Sequence, residues 1–437
     1  MDQMMRLCIY SLVSLLLFSL STGGANPLSS CSIERGSTLK IFHISSPCSP
    51  LKPSSSIAWD EDVIRRQDVD NARVQVLASL AATKPGVPIA SGRVLMEYPS
   101  YIVMAQVGTP AQFLYMSMDI SSNVGWLPCE GCAWCPSSVF NTSDSTTFER
   151  LRCSVPQCAQ VPQATCSPTD KCFFSSSYAG SILSADLSVD TLTLGPYPVP
   201  KYVFGCLLKV TGVAVPPQGL LGLGRGPLSL FSQTQNLYKS TFSYCLPSMN
   251  SFNFTGSLRL GPVGQPKHIK TTGLLTNPRR PSLYYVELVG IKIGRKVLAV
   301  PPTAARFDPN TGGGTILDTG TVYTQLVPEL YTALRDEFRL KVSRDINATS
   351  LGGFDTCYKM PIVPPSITFL FSGLKMTLQP ENFLIHSSFG GTTCLAMSAA
   401  KPNNAVLNVI GSMMQQNRRV LIDVPNSRVG MSHEKCS

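Results

Sequence analysis

The sequence predicts an all-β fold built from two related lobes. Three observations support this prediction: the chain is 43% hydrophobic and only 14% charged, short β-prone segments alternate with turn residues, and two Asp-centred triplets recur in similar settings. The 34 Pro and 33 Gly residues are spread along the chain, so they mark turns rather than one disordered block. With 437 residues, the chain has room for two or three domains.

Residues 1–25 have the features of a secretory signal peptide. Arg6 precedes an apolar stretch from Leu7 to Leu20, and small residues up to Ala25 offer a cleavage site. A membrane anchor is the alternative, but about 14 apolar residues are short for a span of about 20. We therefore expect secretion to the extracellular space or apoplast, without a transmembrane anchor. Chloroplast and vacuole are weaker alternatives, because a transit peptide would be richer in Arg and Ser.

The cysteines fit the same compartment. Twelve of the 15 lie from Cys129 onward, and an even number in a secreted chain predicts disulfides. The spacing Cys129-x-x-Cys132-x-x-Cys135 also resembles a zinc site, but the chain has only four His and we expect neither metal nor cofactor. The candidate disulfide residues are Cys129, Cys132, Cys135, Cys153, Cys158, Cys166, Cys172, Cys206, Cys245, Cys357, Cys394 and Cys436.

Surface chemistry gives weaker indications of partners. Glycosylation acceptors at Asn141, Asn253 and Asn347 suit a secreted chain. The formal net charge of +10 predicts attraction to polyanions such as acidic cell-wall polysaccharide. There is no run of five or six Lys or Arg, so nucleic acid is not expected as a partner. We also expect the protein to be a monomer.

Residues 26–95 differ from the rest of the chain and read as a pro-segment and linker. The charge-rich stretch from Asp60 to Ala82 has apolar residues near helical spacing, at Val63, Val74, Leu77 and Leu80. Pro and Gly from residue 85 end this helix and offer an exposed processing site. A plain N-terminal helix of the mature fold is the alternative.

The pattern is β-rich from Tyr101 onward. Tyr101–Val107 and Phe113–Met118 are predicted strands, and the stretch from 129 to 172 holds seven Cys and reads as a stapled insertion. Pro328–Val342 is predicted to be a helix with Leu330, Leu334 and Phe338 on one face. We place an N-terminal β lobe at 96–262 and a C-terminal β lobe at 263–437.

A weak internal repeat relates the two lobes. In each, an apolar strand runs into an Asp-centred triplet, and an apolar-apolar-Gly sequence follows later. Gly222 follows Asp119 by 103 residues, and Gly411 follows Asp318 by 93 residues. Alone, Asp318-Thr319-Gly320 is weak evidence, because such a triplet arises by chance in about one chain in ten of this length.

The surrounding residues make the triplets specific. The run from Met118 to Pro128 (MDISSNVGWLP) is similar to the Asp-Thr-Gly-Ser-Ser-Asn-x-Trp-x-Pro pattern of pepsin-like aspartic proteases, and Trp126 stands seven residues after Asp119 as that pattern requires. The resemblance runs from about Tyr101 to the C-terminus. The Cys-rich insertion and the sequence QQN at 415–417 resemble the nepenthesin-type plant branch. QGLLGLGRGPLSL and DVPNSRVG resemble apoplastic and nucleoid-associated plant members.

This resemblance implies a bilobal pepsin-like fold and an aspartic-type endopeptidase that needs no cofactor. Asp119 and Asp318 would be the catalytic pair, sharing one proton and activating a water at acidic pH. Polypeptide substrates and the chain's own pro-segment would be the partners in the cleft. The remaining site residues implied are Ser121, Ser122, Thr319, Gly320 and Thr321 as active-site support, Tyr178 as the flap tyrosine and Trp126 as its hydrogen-bond partner.

The resemblance also implies a disulfide pattern, which sequence alone does not fix. Family pairing would join Cys129–Cys132, Cys135–Cys206, Cys153–Cys172, Cys158–Cys166, Cys245–Cys436 and Cys357–Cys394.

Tyr178 has a simpler interpretation as an ordinary hairpin aromatic. Its turn reads Tyr-Ala-Gly-Ser rather than the family's Tyr-Gly-x-Gly.

Ile120 is the main departure from the family pattern. In the family, a Thr at this position bonds the backbone of the opposite lobe, and Ile cannot make that bond. An unpaired buried donor would cost about 1–3 kcal/mol. Three hypotheses remain: an acid endopeptidase that prefers apolar residues beside the scissile bond, a catalytically weak homologue kept as a binding or inhibitor protein, and a nucleic-acid-associated protease.

Overall fold

The computed structural model describes most of the chain between Thr38 and Cys436. The described ranges are 38–43, 58–79, 101–135, 139–194, 197–212, 215–216, 218–248, 256–300, 306–343, 346–387, 391–401 and 406–436. The expected signal peptide (1–25), the linker before Tyr101 and the acceptor Asn253 lie outside these residues. The predictions made for them stay predictions.

The described part of the expected pro-segment forms strand β1 (Thr38–His43) and helix α1 (Trp59–Ser79). Short helices α2 (Leu230–Gln233) and α3 (Gln235–Tyr238) belong to the first half of the fold. Its strands are β2 (Tyr101–Val107), β3 (Gln112–Asp119), β4 (Trp126–Ala133), β5 (Glu149–Arg150), β6 (Thr165–Cys166), β7 (Cys172–Tyr178), β8 (Ser181–Leu194), β9 (Tyr197–Thr211), β10 (Leu220–Gly222), β11 (Thr241–Cys245) and β12 (Gly256–Leu260).

The second half contains helices α4 (Pro328–Val342) and α5 (Ser412–Gln415). Its strands are β13 (Lys270–Leu275), β14 (Tyr284–Val286), β15 (Leu288–Ile293), β16 (Lys296–Ala299), β17 (Gly314–Leu317), β18 (Thr324–Leu326), β19 (Thr349–Leu351), β20 (Phe354–Tyr358), β21 (Ile367–Phe371), β22 (Leu374–Thr377), β23 (Leu384–His386), β24 (Thr393–Leu395), β25 (Met397–Ala399), β26 (Leu407–Ile410), β27 (Arg418–Asp423) and β28 (Arg428–His433). The fold is therefore mostly β, as predicted.

One continuous sheet joins the two halves. Strand β11 pairs antiparallel with both β12 and β27, and β28 continues the sheet to β13. Strand β1 belongs to the same sheet, because it lies between β12 and β2 with Leu39 opposite Leu258 and His43 opposite Tyr101. Side chains of Ile41 and His43 are almost completely buried there. Strand β1 is thus part of the folded architecture of the intact chain.

The internal repeat is confirmed in the sheet pairing. Strand β3 runs parallel to β10, with Asp119 beside Gly222, and β17 runs parallel to β26, with Leu317 beside Ile410. Both apolar-apolar-Gly sequences therefore support a strand that leads into an Asp. Only Gly fits at their ends, since an added Cβ would lie 2.7 Å from a backbone oxygen at Gly222 and 2.5 Å from one at Gly411.

The disulfides staple the first half differently from expectation. The pairs formed are Cys129–Cys206, Cys132–Cys135, Cys153–Cys166, Cys158–Cys172, Cys245–Cys436 and Cys357–Cys394. The last two are the expected pairs. The expected Cys129–Cys132, Cys135–Cys206, Cys153–Cys172 and Cys158–Cys166 are wrong.

The way strands β4 and β9 pair explains why the expected pairs of Cys129 and Cys206 are wrong. Cys129 and Cys206 are fully buried on the paired strands β4 and β9, with their Cα atoms 5.5 Å apart. Cys132 and Cys135 lie beyond them at the half-buried end of β4 and bond each other. Strands β6 and β7 form a hairpin. Cys166 of β6 bonds Cys153 and Cys172 of β7 bonds Cys158, and both of these partners lie in the loop between β5 and β6.

Helix α4 begins and ends at the predicted residues. Pro328 stands at its first turn, where the missing N–H leaves no hydrogen bond unmade. Leu330, Leu334 and Phe338 are buried on one face, and the Phe338 ring meets Phe383 edge to face at 6.3 Å.

Among the residues described, none of the helices is both long and apolar enough for a membrane crossing.

The packing of α4 predicts the cost of truncating its buried face. Phe338→Ala should lower the free energy of unfolding by about 3–5 kcal/mol, because it leaves a cavity in a closed core. Leu340 on the same helix is 44% exposed, so Leu340→Ala should cost less than about 1 kcal/mol. Denaturant unfolding of the intact chain measures both. Equal losses would show that α4 does not pack by this face.

Candidate active site

Asp119 ends strand β3 and is 1% exposed. The chain turns directly after it, so backbone and side-chain donors of the next residues converge on its carboxylate. The backbone N–H of Ser121 donates to Oδ1 at 2.8 Å, and that of Ser122 at 3.2 Å. The Ser122 hydroxyl donates to Oδ2 at 3.0 Å.

Asp318 follows strand β17 and is completely buried. Its surroundings repeat those of Asp119: the Thr321 hydroxyl donates to Oδ2 at 2.6 Å, and the Gly320 N–H lies 3.3 Å from Oδ1. The Asp318 backbone N–H donates to the Ile410 carbonyl of β26 at 3.1 Å. The buried Gln415 amide donates to the Asp318 carbonyl at 3.0 Å and so fixes the backbone of this turn.

The two carboxylates meet at one hydroxyl. Ser121 Oγ lies 2.8 Å from Asp119 Oδ1 and 2.9 Å from Asp318 Oδ1. Two acids from different halves of the chain are therefore brought to a single buried point. Carboxylates this close cannot both ionise without a large cost unless a cation or a shared proton compensates.

The turns that carry the two acids are joined by Thr319. Its hydroxyl donates to the Met118 carbonyl at 3.1 Å and accepts from the Ile120 N–H at 3.3 Å. Ile120 stands at the equivalent place in the first triplet, where it is fully buried in the apolar core. Having no hydroxyl, Ile120 cannot return the two bonds that Thr319 makes.

Tyr178 lies at the tip of the β7–β8 hairpin, opposite Ser181. The tip residues Ala179 and Gly180 have φ values of 45° and 83°, which give a tight turn. The Tyr178 hydroxyl donates to Asp119 Oδ2 at 3.0 Å, and its ring meets Trp126 edge to face at 5.7 Å. The hairpin therefore covers the carboxylate pair, whereas the indole hydrogen bond expected from Trp126 stays a prediction.

Helix α1, in the expected pro-segment, inserts a cation into this site. Arg73 Nη2 lies 2.6 Å from Asp119 Oδ2, Nε lies 3.5 Å from Asp318 Oδ2, and Nη2 also donates to Ser121 Oγ. The guanidinium stacks over the Tyr178 ring at 4.8 Å. Gly320 makes room for it, since a Cβ there would lie 3.1 Å from the guanidinium carbon.

Sequence reasoning missed Arg73 as a site residue. Its signal was present, because Asp70, Arg73 and Val74 lie on the helix face that also carries Val63. Polar residues at helical spacing among buried apolar ones indicate contact with a polar partner rather than with solvent. The side chains of Leu77 and Leu80, which were predicted to share the apolar face, lie outside the described part.

Asp119 is held in its ionised form. Burial alone would raise the pKa of Asp119, but the Arg73 charge and the hydrogen bonds from Ser121 and Ser122 outweigh it. The pKa therefore lies below its ordinary value. Because a lowered pKa favours the ionised form, this state of the site is most stable at neutral pH and is lost as pH falls through the lowered value.

A buried carboxylate of α1 itself, that of Asp70, fixes the helix over the aspartate pair. Asp70 accepts the backbone N–H of Val322 at 2.8 Å and that of Tyr323 at 2.6 Å, the two residues that follow Thr321. Burial raises the pKa of Asp70 to about 8, although these two N–H donors act in the opposite direction. One turn earlier, Gln67 accepts the Gly353 N–H at 2.6 Å.

The other predicted residues lie away from the carboxylates. Of the glycosylation acceptors described, Asn347 is exposed, whereas Asn141 is half-buried and caps a short 3-10 turn. In the described ranges, no group of three or more His, Cys, Asp or Glu is placed to hold a metal ion.

Two family models match the chain, and between them they span most of its length. The model described as xylanase inhibitor N-terminal matches residues 101–262, and the one described as xylanase inhibitor C-terminal matches residues 283–433. Solved structures with the same fold include conglutin gamma from lupine seeds, with a TM-score of 0.63 at 20% identity over 77% of this chain and 92% of that one. Basic 7S globulin from soybean matches equally, with a TM-score of 0.63 at 22% identity over 77% and 94%.

Curated relatives resolve the family further. The chain is 46% identical to aspartyl protease AED3 of Arabidopsis thaliana over 98% of both chains. It is 43% identical to aspartyl protease 25 of Oryza sativa subsp. japonica, over 91% of this chain and 94% of the relative. Aspartic proteinase nepenthesin-1 of Nepenthes gracilis is 33% identical over 77% of this chain and 78% of the relative. With its bilobal pepsin-like fold, the chain belongs to the plant aspartic proteases of the pepsin-like family.

Proposed function

We propose that the intact chain is the zymogen of a secreted acid endopeptidase, with Asp119 and Asp318 as its catalytic pair. The observation that carries this proposal is the convergence of both carboxylates, one from each half, on Ser121 Oγ. Paired aspartates that share one proton are the chemical basis of aspartic proteases. No covalent intermediate is needed, because a water is the nucleophile.

The donors around each acid assign the roles. Asp119 accepts two backbone N–H groups and the hydroxyls of Ser122 and Tyr178, so it is the member kept ionised. It takes a proton from the bound water, whose oxygen attacks the scissile carbonyl. Asp318 donates its proton to the carbonyl oxygen as negative charge develops there. The amine leaves after it receives a proton from the pair.

The proposed substrates are polypeptides with apolar side chains near the scissile bond. Helix α1 occupies the cleft and packs three valines against apolar clusters of the two halves. Removal of the helix would leave the positions of these valines empty. Val69 packs in the cluster that contains Trp126 and Tyr178, and Val74 in the one that contains Leu283 and Tyr285. Aliphatic side chains of a substrate would bury the same apolar surface.

The pro-segment is proposed to inhibit the enzyme in the intact chain. Arg73 pairs with both carboxylates, so neither a water nor a peptide carbonyl can bind between them. The Asp70 and Gln67 contacts fix the helix in position. Removal of residues before Tyr101 would expose the pair, which agrees with the expected linker and processing site.

Secretion to the apoplast is proposed on the basis of covalent features. Six disulfides join residues of the described part, a number typical of oxidising compartments. Asn347 is exposed and open to glycosylation, and Asn141 is half-buried at the start of a short turn. The apolar residues 7–20 support a signal peptide. The net charge of +10 suits a monomer that associates with acidic polysaccharide.

A catalytically silent binding protein is the second candidate function. Ile120 favours it, because one of the two hydroxyl bridges between the triplets is missing. The names of the two matching family models also describe inhibitors. The enzyme is the better supported function, since both carboxylates and their donors Ser122 and Thr321 are in place.

The processed protein should cleave denatured globin at about pH 3–5 and be inhibited by pepstatin. Asp119→Asn and Asp318→Asn should each lower kcat by about 1,000-fold or more, because each removes a proton-transfer group. Asp144→Asn, at an exposed acid, is the control and should leave kcat unchanged. Turnover that survives either catalytic-pair substitution would contradict the assignment, and absence of turnover in the unaltered protein would favour the binding protein.

Ile120→Thr tests whether the missing bridge limits activity. A hydroxyl at this position would return the bonds made by Thr319 and hold the two turns in register, so kcat should rise several-fold. Ile120→Val is the matched control, because Val has the shape of Thr without the hydroxyl. The expected result is a higher kcat for Thr than for Val. Equal values would show that packing alone matters here.

His43 should help acidification to release the pro-segment. It is buried against Tyr101, with ring centroids 5.3 Å apart, and Arg66 and Asp62 of α1 are the charged groups that face it. Burial, and then the Arg66 charge, lower the pKa of His43 to about 3 from 6.5. Below pH 6.5 a released segment therefore gains a proton that the docked one does not, and docking weakens.

His43→Gln removes this contribution. The prediction concerns the ratio of the opening of β1 and α1 together in the unaltered chain to that in the Gln variant. This ratio should be about 30-fold higher at pH 5 than at pH 7.5. Asp70, with its raised pKa, has the opposite pH dependence in both proteins and cancels in the ratio. Pulsed hydrogen exchange of the β1 and α1 amides measures the ratio, with His268→Gln, an exposed site, as control. A ratio independent of pH would contradict the prediction.

A further inference from the structure

Ser121 differs from its counterpart in the second triplet. The equivalent residue after Asp318 is Gly320, which has no side chain, whereas Ser121 places a hydroxyl between the acids. The backbones at the two positions act alike, because each N–H points at Oδ1 of its own aspartate. The Ser121 side chain is therefore an addition to an otherwise symmetric pair of turns.

The Ser121 hydroxyl contacts the reacting atoms of both acids. Its Oγ lies 2.8 Å from Asp119 Oδ1 and 2.9 Å from Asp318 Oδ1, and the residue is 9% exposed. A hydroxyl has one hydrogen to donate and lone pairs to accept with. It can satisfy both contacts at once only when one acid is ionised and accepts, while the other is protonated and donates.

Arg73 shows that the accepting position of Ser121 is used. In the intact chain, Arg73 Nη2 donates to Ser121 Oγ while it pairs with Asp119. When the pro-segment leaves, this donor leaves with it. The carboxylic O–H of Asp318 is then the group nearest to the accepting lone pair of Oγ.

We propose that Ser121 is a third catalytic residue, whose hydroxyl carries the proton that Asp119 and Asp318 share. The proposal rests on the proteolytic function proposed above. In the resting pair, Asp318 donates its proton to Oγ and the Ser121 O–H donates to ionised Asp119. Transfer moves one proton from Asp318 to Oγ while the hydroxyl proton moves to Asp119, so Ser121 stays neutral and the pair keeps one proton.

The relay has a role within each turnover. After water attacks, Asp119 holds the proton taken from the water and Asp318 has given its own to the carbonyl oxygen. The acids have then exchanged protonation states. Transfer through Ser121 moves the remaining proton between the acids, so that either one can give it to the leaving amine. As the carbon–nitrogen bond breaks, a hydroxyl of the intermediate returns one proton to the pair, and the relay places that proton on Asp318 without exchange with bulk water.

Ser121→Ala should narrow the pH profile of kcat/KM from both sides. The hydroxyl stabilises only the singly protonated pair, so its loss brings the two apparent pKa values closer, by about one pH unit in total. Ser122→Ala is the matched control, because the Ser122 hydroxyl donates only to Asp119. That variant should move the acidic limb alone. Unchanged limbs in Ser121→Ala, or a shift of its acidic limb alone, would overturn the proposal.

Two further measurements separate this proposal from its premise. Ser121→Gly reproduces the residue at position 320, so it should fold and should narrow the profile as Ser121→Ala does. If the unaltered processed protein shows no turnover, the proposed function fails, and Ser121 is then tested by carbon NMR titration of the aspartate carboxyls. Closer titration steps in Ser121→Ala than in the unaltered protein support the relay, and equal separation overturns it.

Discussion

The ion pair between Arg73 and the two aspartates is the contact on which the rest of the intact structure depends. Asp119 and Asp318 are 1% and 0% exposed, and two buried carboxylates at one point repel each other strongly. A guanidinium is suited to this place, because its planar fork donates in several directions and keeps its charge when buried. The two aspartate turns, the β7–β8 hairpin over them and helix α1 are arranged around this contact.

The cleft exists because the chain builds the same turn twice. Each aspartate lies at the end of a strand that pairs in parallel with an apolar strand ending near a Gly. The sheet that joins the two halves through β11 and β27 holds the two turns face to face. Thr319 joins them through two hydrogen bonds. The repeat is imperfect where Ile120 and Ser121 replace the residues of the second triplet. Because of these departures, the two turns are joined by the hydroxyl of Thr319, whereas a symmetric site would have a second bridging hydroxyl at position 120.

The sequence predicted the parts of this account that depend on local pattern. Helix α4 and strand β2 have the predicted ends, and the repeat of motifs predicted two related lobes, which the fold contains. Pairing of cysteines was predicted poorly in the insertion, because it depends on the register of β4 with β9, which spacing does not encode. Arg73 was missed because it is distant in sequence from both acids and reaches them only through the docking of α1.

The affinity of pepstatin for the intact chain tests the central claim most directly. At pH 5, before processing, Arg73→Gln should bind pepstatin at least about tenfold more tightly than the unaltered chain, because the helix no longer competes by an ion pair for the same carboxylates. Arg65→Gln, on the same helix and paired with Asp62, should bind as the unaltered chain does. Equal affinity in all three proteins would contradict an autoinhibited carboxylate pair.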